Sequence, residues 1–343
     1  MVRSSGRHRS GQDSPLKDRL LNILKVVISL GLIAFIFMQE DIRTADWGAI
    51  LANFRVWIWL LALAIYFVAI GFNVLKWQYL LRTLSIDVAF PSLYRHNIVG
   101  LFFANLPLSM VGGDIARGWD LARSTEGQGA QVAVSVLVDR LVGLAGFLVA
   151  AVLGLGAAVL LLDRPDLTWL LAAMALLLAG FATACAVLMS QRLRRLVEKL
   201  FGLGPLSRLL PLYQKLSDSV QVYRTHGGAL VVALGIQLLT VVTTCIVNYM
   251  AALSVRADVP IEWVFVLTPL TAFAPFLPSI ASGLGWNQGV FIVLYTELAG
   301  LLPEASALAM SLAMQFIIIV ASLPGGVLWW RRRETAPPAD QPA

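Results

Sequence analysis

Residues 97–117 constrain the fold most, because they are apolar enough to enter a bilayer but are interrupted by Pro107 and by Gly112-Gly113. Proline removes a backbone donor and disfavours helix in the residue before it, and glycine gives the freedom that a sharp turn needs. Non-helical backbone at membrane depth has N–H and C=O groups that lipid cannot satisfy, so it persists only inside protein or beside a polar cavity. We therefore expect this chain to handle something polar within a membrane.

Composition supports a membrane protein. Of the 343 residues, 58% are hydrophobic and 13% are charged, whereas soluble domains have roughly 45–50% apolar and about 25% charged residues. Residues 1–19 form a basic tail, and the apolar run at 20–38 follows it without a small-residue cleavage site. The sequence therefore predicts an all-α, polytopic transmembrane helical bundle whose first span is retained.

The net charge of +6 does not indicate a nucleic-acid partner, because the basic residues gather in short loops, as the positive-inside rule describes. Cys185 and Cys245 lie in separate apolar runs, which favours two free thiols over a disulfide. His8, His96 and His226 are scattered and form no zinc pattern. A Gly-Lys-Ser/Thr phosphate loop is also missing from the sequence, so we expect no metal and no cofactor.

Charge also predicts the path of the chain. Residues 56–74 return the chain to a cytoplasmic surface marked by Lys76 and Arg95, with Trp77 in an interfacial belt. The basic segment at 190–228 is predicted to be cytoplasmic as well, either as a topological anchor or as an amphipathic helix on an anionic leaflet. Counting back from it through spans at 168–189 and 141–162 places residues 113–131 in the cytoplasm.

Both ends of 96–112 are therefore predicted to be cytoplasmic, and its roughly 16 apolar residues are short for a span of about 20. The segment is either a re-entrant hairpin or a kinked full span, and the charge count favours the hairpin. Its rarity makes it a strong constraint on the rest of the bundle.

The second half repeats this arrangement. Residues 229–253 run outward, residues 263–302 contain Pro269, Pro275 and Pro278, and a last span at about 305–330 ends in a cationic anchor. The middle region is either a second re-entrant pair, entering from outside, or two shortened spans. An inverted repeat is predicted, and interrupted segments at matching places in two halves point to a transporter site near the midplane.

One membrane domain is expected at 20–330, with halves at 20–162 and 168–330 joined by a short outer turn. Residues 331–343 are expected to form a disordered cytoplasmic tail because of their prolines.

Three ordered motifs resemble a known family. They are Leu106-Pro107 with Gly112-Gly113-Asp114-Ile-Ala-Arg117, then Ser135-Val-Leu-Val-Asp139-Arg140-Leu-Val-Gly143, and then Pro278-Ser-Ile-Ala-Ser-Gly283-Leu-Gly285. Over about residues 20–330 the chain resembles the flippase-like family named for the transmembrane region of lysylphosphatidylglycerol synthase. Where that family often has Arg-Glu after the third motif, this chain has Trp286-Asn287-Gln288, which puts charge chemistry there in doubt.

The resemblance implies a multi-pass protein of the bacterial inner membrane that translocates a phospholipid or polyprenyl-linked lipid between leaflets. The alternative is an accessory subunit or enzyme that presents lipid to a separate lipid- or glycan-modifying transferase. A homo-oligomer is compatible with either. The basic residues at both ends predict that both termini are cytoplasmic. No soluble aminoacyl-transferase domain is recognised in these 343 residues, so synthase activity is not expected.

Asp114 and Arg117 are spaced i, i+3 and share a face of any helix that begins after Gly113. They either grip an anionic headgroup, for which arginine offers a two-donor fork, or cap and anchor the hairpin exit. Asp139-Arg140 lie within the membrane if their helix begins near residue 132, and at its surface if the helix begins near 141. The apolar residues 132–138 favour the first interpretation.

In the second broken region, Glu297 is either a buried proton carrier or an outer-surface residue. Asn105 and Gln288 are the amides closest to the breaks. The predicted substrate-binding residues are Asn105, Pro107, Gly112, Gly113, Asp114, Arg117, Asp139, Arg140, Pro278, Gly283, Gly285, Gln288 and Glu297.

Overall fold

The computed structural model describes residues 40–44, 46–105, 112–125, 127–188, 190, 221–273 and 285–335. Across these residues the regular structure is entirely helical, which confirms the all-α prediction. The predicted first span at 20–38, the amphipathic segment within 191–220, Pro107, Pro278 and Gly283 lie outside the described residues.

Among the described residues, the part of the chain before the basic segment contains two short helices, Glu40–Arg43 and Trp47–Ala52, and then five longer ones. These are α1 (Val56–Thr83), α2 (Phe90–Ala104), α3 (Gly112–Ser124), α4 (Gly129–Leu161) and α5 (Thr168–Leu188).

Helix α6 is the first long helix described after the basic segment. The helices in this part of the chain are α6 (Gly227–Ser254), α7 (Ile261–Thr271), α8 (Trp286–Ile292) and α9 (Glu304–Thr335), and a π-helical stretch at Val293–Leu298 follows α8. Five described helices, α1, α4, α5, α6 and α9, are long and apolar enough to cross a membrane. The chain is therefore a multi-pass membrane protein.

Several helices extend beyond their predicted bounds. Helix α1 continues to Thr83 and therefore includes Lys76 and Trp77, which were expected at the membrane surface. Helix α4 begins at Gly129, so the alternative start near residue 141 was wrong, and Asp139-Arg140 lie three turns inside it. Helix α9 runs to Thr335, past the expected end of the domain at 330.

The antiparallel pair α1 and α6 joins the two halves at the centre of the bundle. At one end the Arg55 N–H donates to the carbonyl of Ser254 at 2.8 Å, and at the other the Lys76 ammonium donates to Gln237 Oε1 at 2.8 Å. Between these contacts Ala62 packs with Val247. The opposite directions that the charge pattern assigned to these two helices are therefore present in the bundle.

Helices α2 and α3 form an antiparallel hairpin. A Cβ on Gly113 would lie 2.8 Å from Cβ of Ala104, and a Cβ on Gly100 would lie 3.2 Å from Cβ of Arg117. Nearer the open ends, His96 Nδ1 lies 2.6 Å from a carboxylate oxygen of Asp120. Among these contacting pairs, residue numbers fall along α2 as they rise along α3. The two helices therefore run in opposite directions, and the chain reverses direction between them.

The hairpin has both ends on one side of the bundle. Ile86, just before α2, and Leu121, near the end of α3, are buried in the same core cluster as Leu81 of α1. The arms contain 15 and 13 residues, which at 1.5 Å per residue is about 22 Å and 20 Å. Both arms are shorter than the roughly 30 Å hydrocarbon core of a bilayer.

The second broken region has its ends at the opposite side of the bundle. Val259 before α7 and Leu302 after the π-helical stretch share a core cluster with Leu167 of the α4–α5 turn. Arg164 of that turn donates to the carbonyl of Leu298 at 3.1 Å and stacks on Trp263, 5.1 Å from its ring centroid. Helix α7 has only 11 residues, so it too is short for a crossing.

Packing between helices follows the same pattern in both halves. If α1, α2, α3 and α4 are matched with α6, α7, α8 and α9, each contacting pair has a contacting counterpart: α4 packs on α7 as α9 packs on α2, and α4 packs on α6 as α9 packs on α1. Glycines allow the first two of these contacts, Gly154 against the backbone of Val266 and Gly325 against that of Ile98. This correspondence is what an internal repeat would produce, and the inverted relation of the halves stays a prediction.

We predict that Gly113→Ala destabilises the hairpin. The added Cβ would lie 2.5 Å from the carbonyl oxygen of Gly100, and such overpacking costs roughly 1–3 kcal/mol. Gly180→Ala in α5 is the control, because a Cβ there meets nothing within 4 Å. Thermal unfolding in detergent should show a lower midpoint for Gly113→Ala only, and equal midpoints would contradict the tight contact.

Candidate functional site

Five charged side chains form a continuous chain where α1, α3 and α4 meet. In order they are Lys76 of α1, Asp139 of α4, Arg117 and Asp114 of α3, and Arg140 of α4. Cation and anion alternate along this series, which we call the charge chain. Because α1 and α4 are membrane-crossing helices, the charge chain connects the hairpin to the spanning part of the bundle.

Asp139 is the buried centre of the charge chain. One carboxylate oxygen lies 3.0 Å from the Lys76 ammonium and the other accepts a hydrogen bond from Arg117 at 2.7 Å. The side chains of Asp139 and Lys76 are each 3% exposed. Lys76 also donates to the Asp139 carbonyl at 3.3 Å and to Gln237 of α6, so helices of both halves meet at this point.

Arg117 links the two carboxylates. Its Nε donates to Asp114 at 2.9 Å while a terminal nitrogen donates to Asp139. The guanidinium lies over the Trp77 ring, 4.7 Å from the centroid, and the Trp77 indole in turn donates to Ser135 Oγ at 3.1 Å. A guanidinium that donates to two carboxylates and also lies over an aromatic ring is held in one orientation.

Exposure increases along the charge chain toward Arg140. The Asp114 side chain is 15% exposed and that of Arg140 is 60% exposed, and the second oxygen of Asp114 pairs with Arg140 Nε. One end of the charge chain is therefore sealed inside the protein, and the other end is accessible from outside it.

The arrangement has a net positive charge. Three cations face two carboxylates, so the charge chain carries one excess positive charge. Removing ions from water is costly unless each is paired, and here each carboxylate has two cationic partners. Chemically, the open end can offer arginine N–H donors to an anion.

The structure brings Asp114, Arg117, Asp139 and Arg140 together from two separate sequence motifs. Asp114 and Arg117 contact each other within one helix, and Asp139 lies inside the protein. Gly112 and Gly113 begin α3, where Gly113 allows the close approach of α2. Binding of a substrate by these residues stays a prediction.

Sequence reasoning missed Lys76. It was interpreted as a surface anchor, yet the residue is 2% exposed, and Trp77 beside it is fully buried. Two features could have indicated that Lys76 is buried. An apolar stretch surrounds it in a helix with no break before Thr83, and a buried Asp139 needs more than one cation. Gln237 of α6 is a further partner of the Lys76 ammonium.

The remaining predicted residues form local contacts elsewhere. Asn105 ends α2 and donates to the carbonyl of Leu101 at 3.2 Å. Gln288 caps α8 by accepting from the N–H of Gly285 at 2.7 Å, and Gly285 has a φ of 85°, which suits glycine. Glu297 is exposed, so the buried-carboxylate interpretation was wrong for it.

Comparison with known proteins identifies the family. The family described as "Lysylphosphatidylglycerol synthase TM region" matches residues 22–325. The chain belongs to this family. It is also similar to a "UPF0104 membrane protein" of Methanothermobacter thermautotrophicus (strain ATCC 29096 / DSM 1053 / JCM 10044 / NBRC 100330 / Delta H), with 26% identity over 316 residues that cover 85% of this chain and 89% of that protein. The resemblance inferred from the three motifs is thereby confirmed.

All five residues of the charge chain lie within residues 22–325, the region that matches the family. Among the residues that the structure describes, no three His, Cys, Asp or Glu side chains are grouped so as to hold a metal ion.

We predict that Asp139→Asn is strongly destabilising. Lys76 and Arg117 would lose their shared carboxylate, and breaking a buried ion pair from one side costs roughly 3–5 kcal/mol. Adding Lys76→Met to Asp139→Asn should recover part of the loss, since no unpaired ammonium remains. Thermal unfolding in detergent measures both effects.

The exposed pair Arg82–Asp87, 3.1 Å apart with side chains 57% and 82% exposed, provides the control. Replacing Asp87 with Asn should change stability by at most about 1 kcal/mol. Purely additive effects in the Lys76→Met, Asp139→Asn double variant would contradict the coupling of these two residues.

Proposed function

We propose that this protein moves a phosphate-bearing lipid, either a phospholipid or a polyprenyl-linked lipid, between the leaflets of a bacterial inner membrane, with both termini in the cytoplasm. The observation that carries this proposal is the charge chain, which extends from a sealed aspartate to an exposed arginine and joins the membrane-spanning helices α1 and α4 to the hairpin helix α3. Family membership supports a lipid-related role.

Charged residues within membrane helices are costly, and they usually mark a path for a polar substrate. The charge chain ties three helices together, but a neutral hydrogen-bonded network could do so without ions. Its excess positive charge and the accessible guanidinium of Arg140 suit an anionic headgroup, because arginine can present two parallel donors to a phosphate. Acyl chains would remain in the surrounding lipid while the headgroup passes.

The two broken regions complete the proposal. The α2–α3 hairpin and the α7–α8 region have short arms whose ends lie at opposite sides of the bundle. Placed in a bilayer, they would be re-entrant segments from the two faces, and broken helices at matching positions of two repeats often form a substrate path. A headgroup that enters from either leaflet would then meet one of these two regions.

A transport assay tests the proposal. Purified protein in liposomes containing a fluorescent phosphatidylglycerol should give quencher access to inner-leaflet lipid faster than protein-free liposomes do. Arg140→Gln should slow this exchange by roughly tenfold, which is what one charge-assisted hydrogen bond is worth. Arg82→Gln is the matched control, because its side chain is also largely exposed but pairs with Asp87 outside the charge chain.

Equal rates of lipid exchange for Arg140→Gln and the wild type would contradict a role for the charge chain in transport. Failure of the wild type over a panel of phospholipids and polyprenyl phosphates would contradict translocation. Product formation when a separate transferase and its donor are added would then support the accessory role instead.

Topology provides a separate prediction. In a background with Cys185→Ala and Cys245→Ala, single cysteines at Phe90→Cys and Ser124→Cys should react with an impermeant reagent from the same side of the membrane, because both positions lie at the open ends of the hairpin. Asp166→Cys in the α4–α5 turn should react from the other side. Labelling of Phe90→Cys and Ser124→Cys from opposite sides would contradict a re-entrant hairpin.

A further inference from the structure

We infer that Asp114 is an internal counter-ion that occupies the place of a headgroup phosphate, and that an anionic lipid binds by displacing Asp114 from Arg117 and Arg140. The inference deepens the proposed function and rests on it for the identity of the anion as a lipid headgroup. It assigns Asp114 a role in specificity that differs from the role of Asp139, although both carboxylates belong to the same charge chain.

The two carboxylates differ in how firmly they are held. Asp139 is 3% exposed, is held by a lysine and an arginine from two other helices, and lies behind Arg117. Asp114 is 15% exposed, and one of its two partners, Arg140, is largely accessible. An incoming anion can therefore reach Arg140 without opening the core, and it reaches Arg117, whose side chain is 5% exposed, as Asp114 moves away.

The geometry of the Asp114 carboxylate matches that of a phosphodiester. One oxygen accepts from Arg117 Nε at 2.9 Å and the other pairs with Arg140 Nε. The two non-bridging oxygens of a phosphodiester can contact the same two arginines, which are good partners for phosphate as well as for carboxylate. In the lipid-free protein the carboxylate thus stands in for the phosphate oxygens.

Charge also favours the exchange. With Asp114 in place, three cations face two carboxylates. When Asp114 leaves, Lys76, Arg117 and Arg140 face Asp139 alone, and an anion of one negative charge restores the original balance. The displaced carboxylate stays in the first turn of α3, where the helix dipole stabilises a negative charge.

The surroundings favour a lipid over a water-borne anion. Ile115 next to Asp114 is 62% exposed, Trp119 one turn further along α3 is 62% exposed, and Leu137 one turn before Arg140 on α4 is 54% exposed. These exposed apolar side chains lie on the same two helices as Asp114 and Arg140, within about one and a half turns of them in sequence. An acyl chain can lie along them while its phosphate reaches the two arginines.

Asp114→Asn tests the inference, because it removes the competing charge and keeps the size of the side chain. Purified protein in a neutral detergent is titrated with phosphatidylglycerol, phosphatidylcholine or inorganic phosphate, and bound lipid is counted by native mass spectrometry. We expect Asp114→Asn to bind phosphatidylglycerol about fivefold tighter than the wild type, at the lower end of typical coupling between two sites. Zwitterionic phosphatidylcholine should gain less.

Three variants serve as controls. Asp114→Glu keeps the negative charge and should not show the gain of Asp114→Asn. Asp166→Asn removes an exposed carboxylate outside the charge chain, one paired with Arg164 at 2.8 Å, and should leave binding unchanged. Adding Arg140→Gln to Asp114→Asn should abolish the gain. If Asp114→Asn does not fold, Asp114→Ser removes the same charge from a shorter side chain and replaces it in the titration.

Unchanged or weaker phosphatidylglycerol binding by folded Asp114→Asn would overturn the inference. An equal gain for inorganic phosphate would overturn the assignment to a lipid headgroup. Failure of the proposed function looks different: tighter binding by Asp114→Asn without any lipid exchange in liposomes would contradict transport and leave the counter-ion role in place.

Discussion

The structure depends on a carboxylate that has no access to water. Asp139 lies inside a membrane-crossing helix and is stabilised only because Lys76 and Arg117 reach it from two other helices. An unpaired charge at this depth would cost far more than a typical packing contact contributes. The ion pairs therefore fix the relative positions of α1, α3 and α4, and the Lys76–Gln237 hydrogen bond extends this arrangement to α6 in the second half.

Much of this architecture could be predicted from the sequence. Loops rich in lysine and arginine predicted the antiparallel course of α1 and α6, and Pro107 with Gly112-Gly113 predicted a reversal that the contacts between α2 and α3 confirm. The i, i+3 spacing of Asp114 and Arg117 predicted that both lie on one helix face, and they form an ion pair.

Other features depended on contacts distant in sequence. The partners Lys76 and Asp139 are 63 residues apart, and each alone resembles an ordinary charge near a membrane surface. For Glu297 the sequence left a buried and an outer-surface placement open, because its apolar flanking residues do not decide burial, and the tertiary structure leaves it exposed. A pattern along one helix does not indicate which other helices pack around it.

Close contacts at glycines pack the α2–α3 hairpin tightly against itself and against α9. Gly113 allows α3 to touch α2, Gly100 allows α2 to touch Arg117, and Gly325 of α9 presses against Ile98 of α2. Helix α9 of the second half is thus joined to Arg117 by a continuous series of close contacts that passes through α2, and a larger side chain at any of these three glycines would separate elements that hold the ionic site in place.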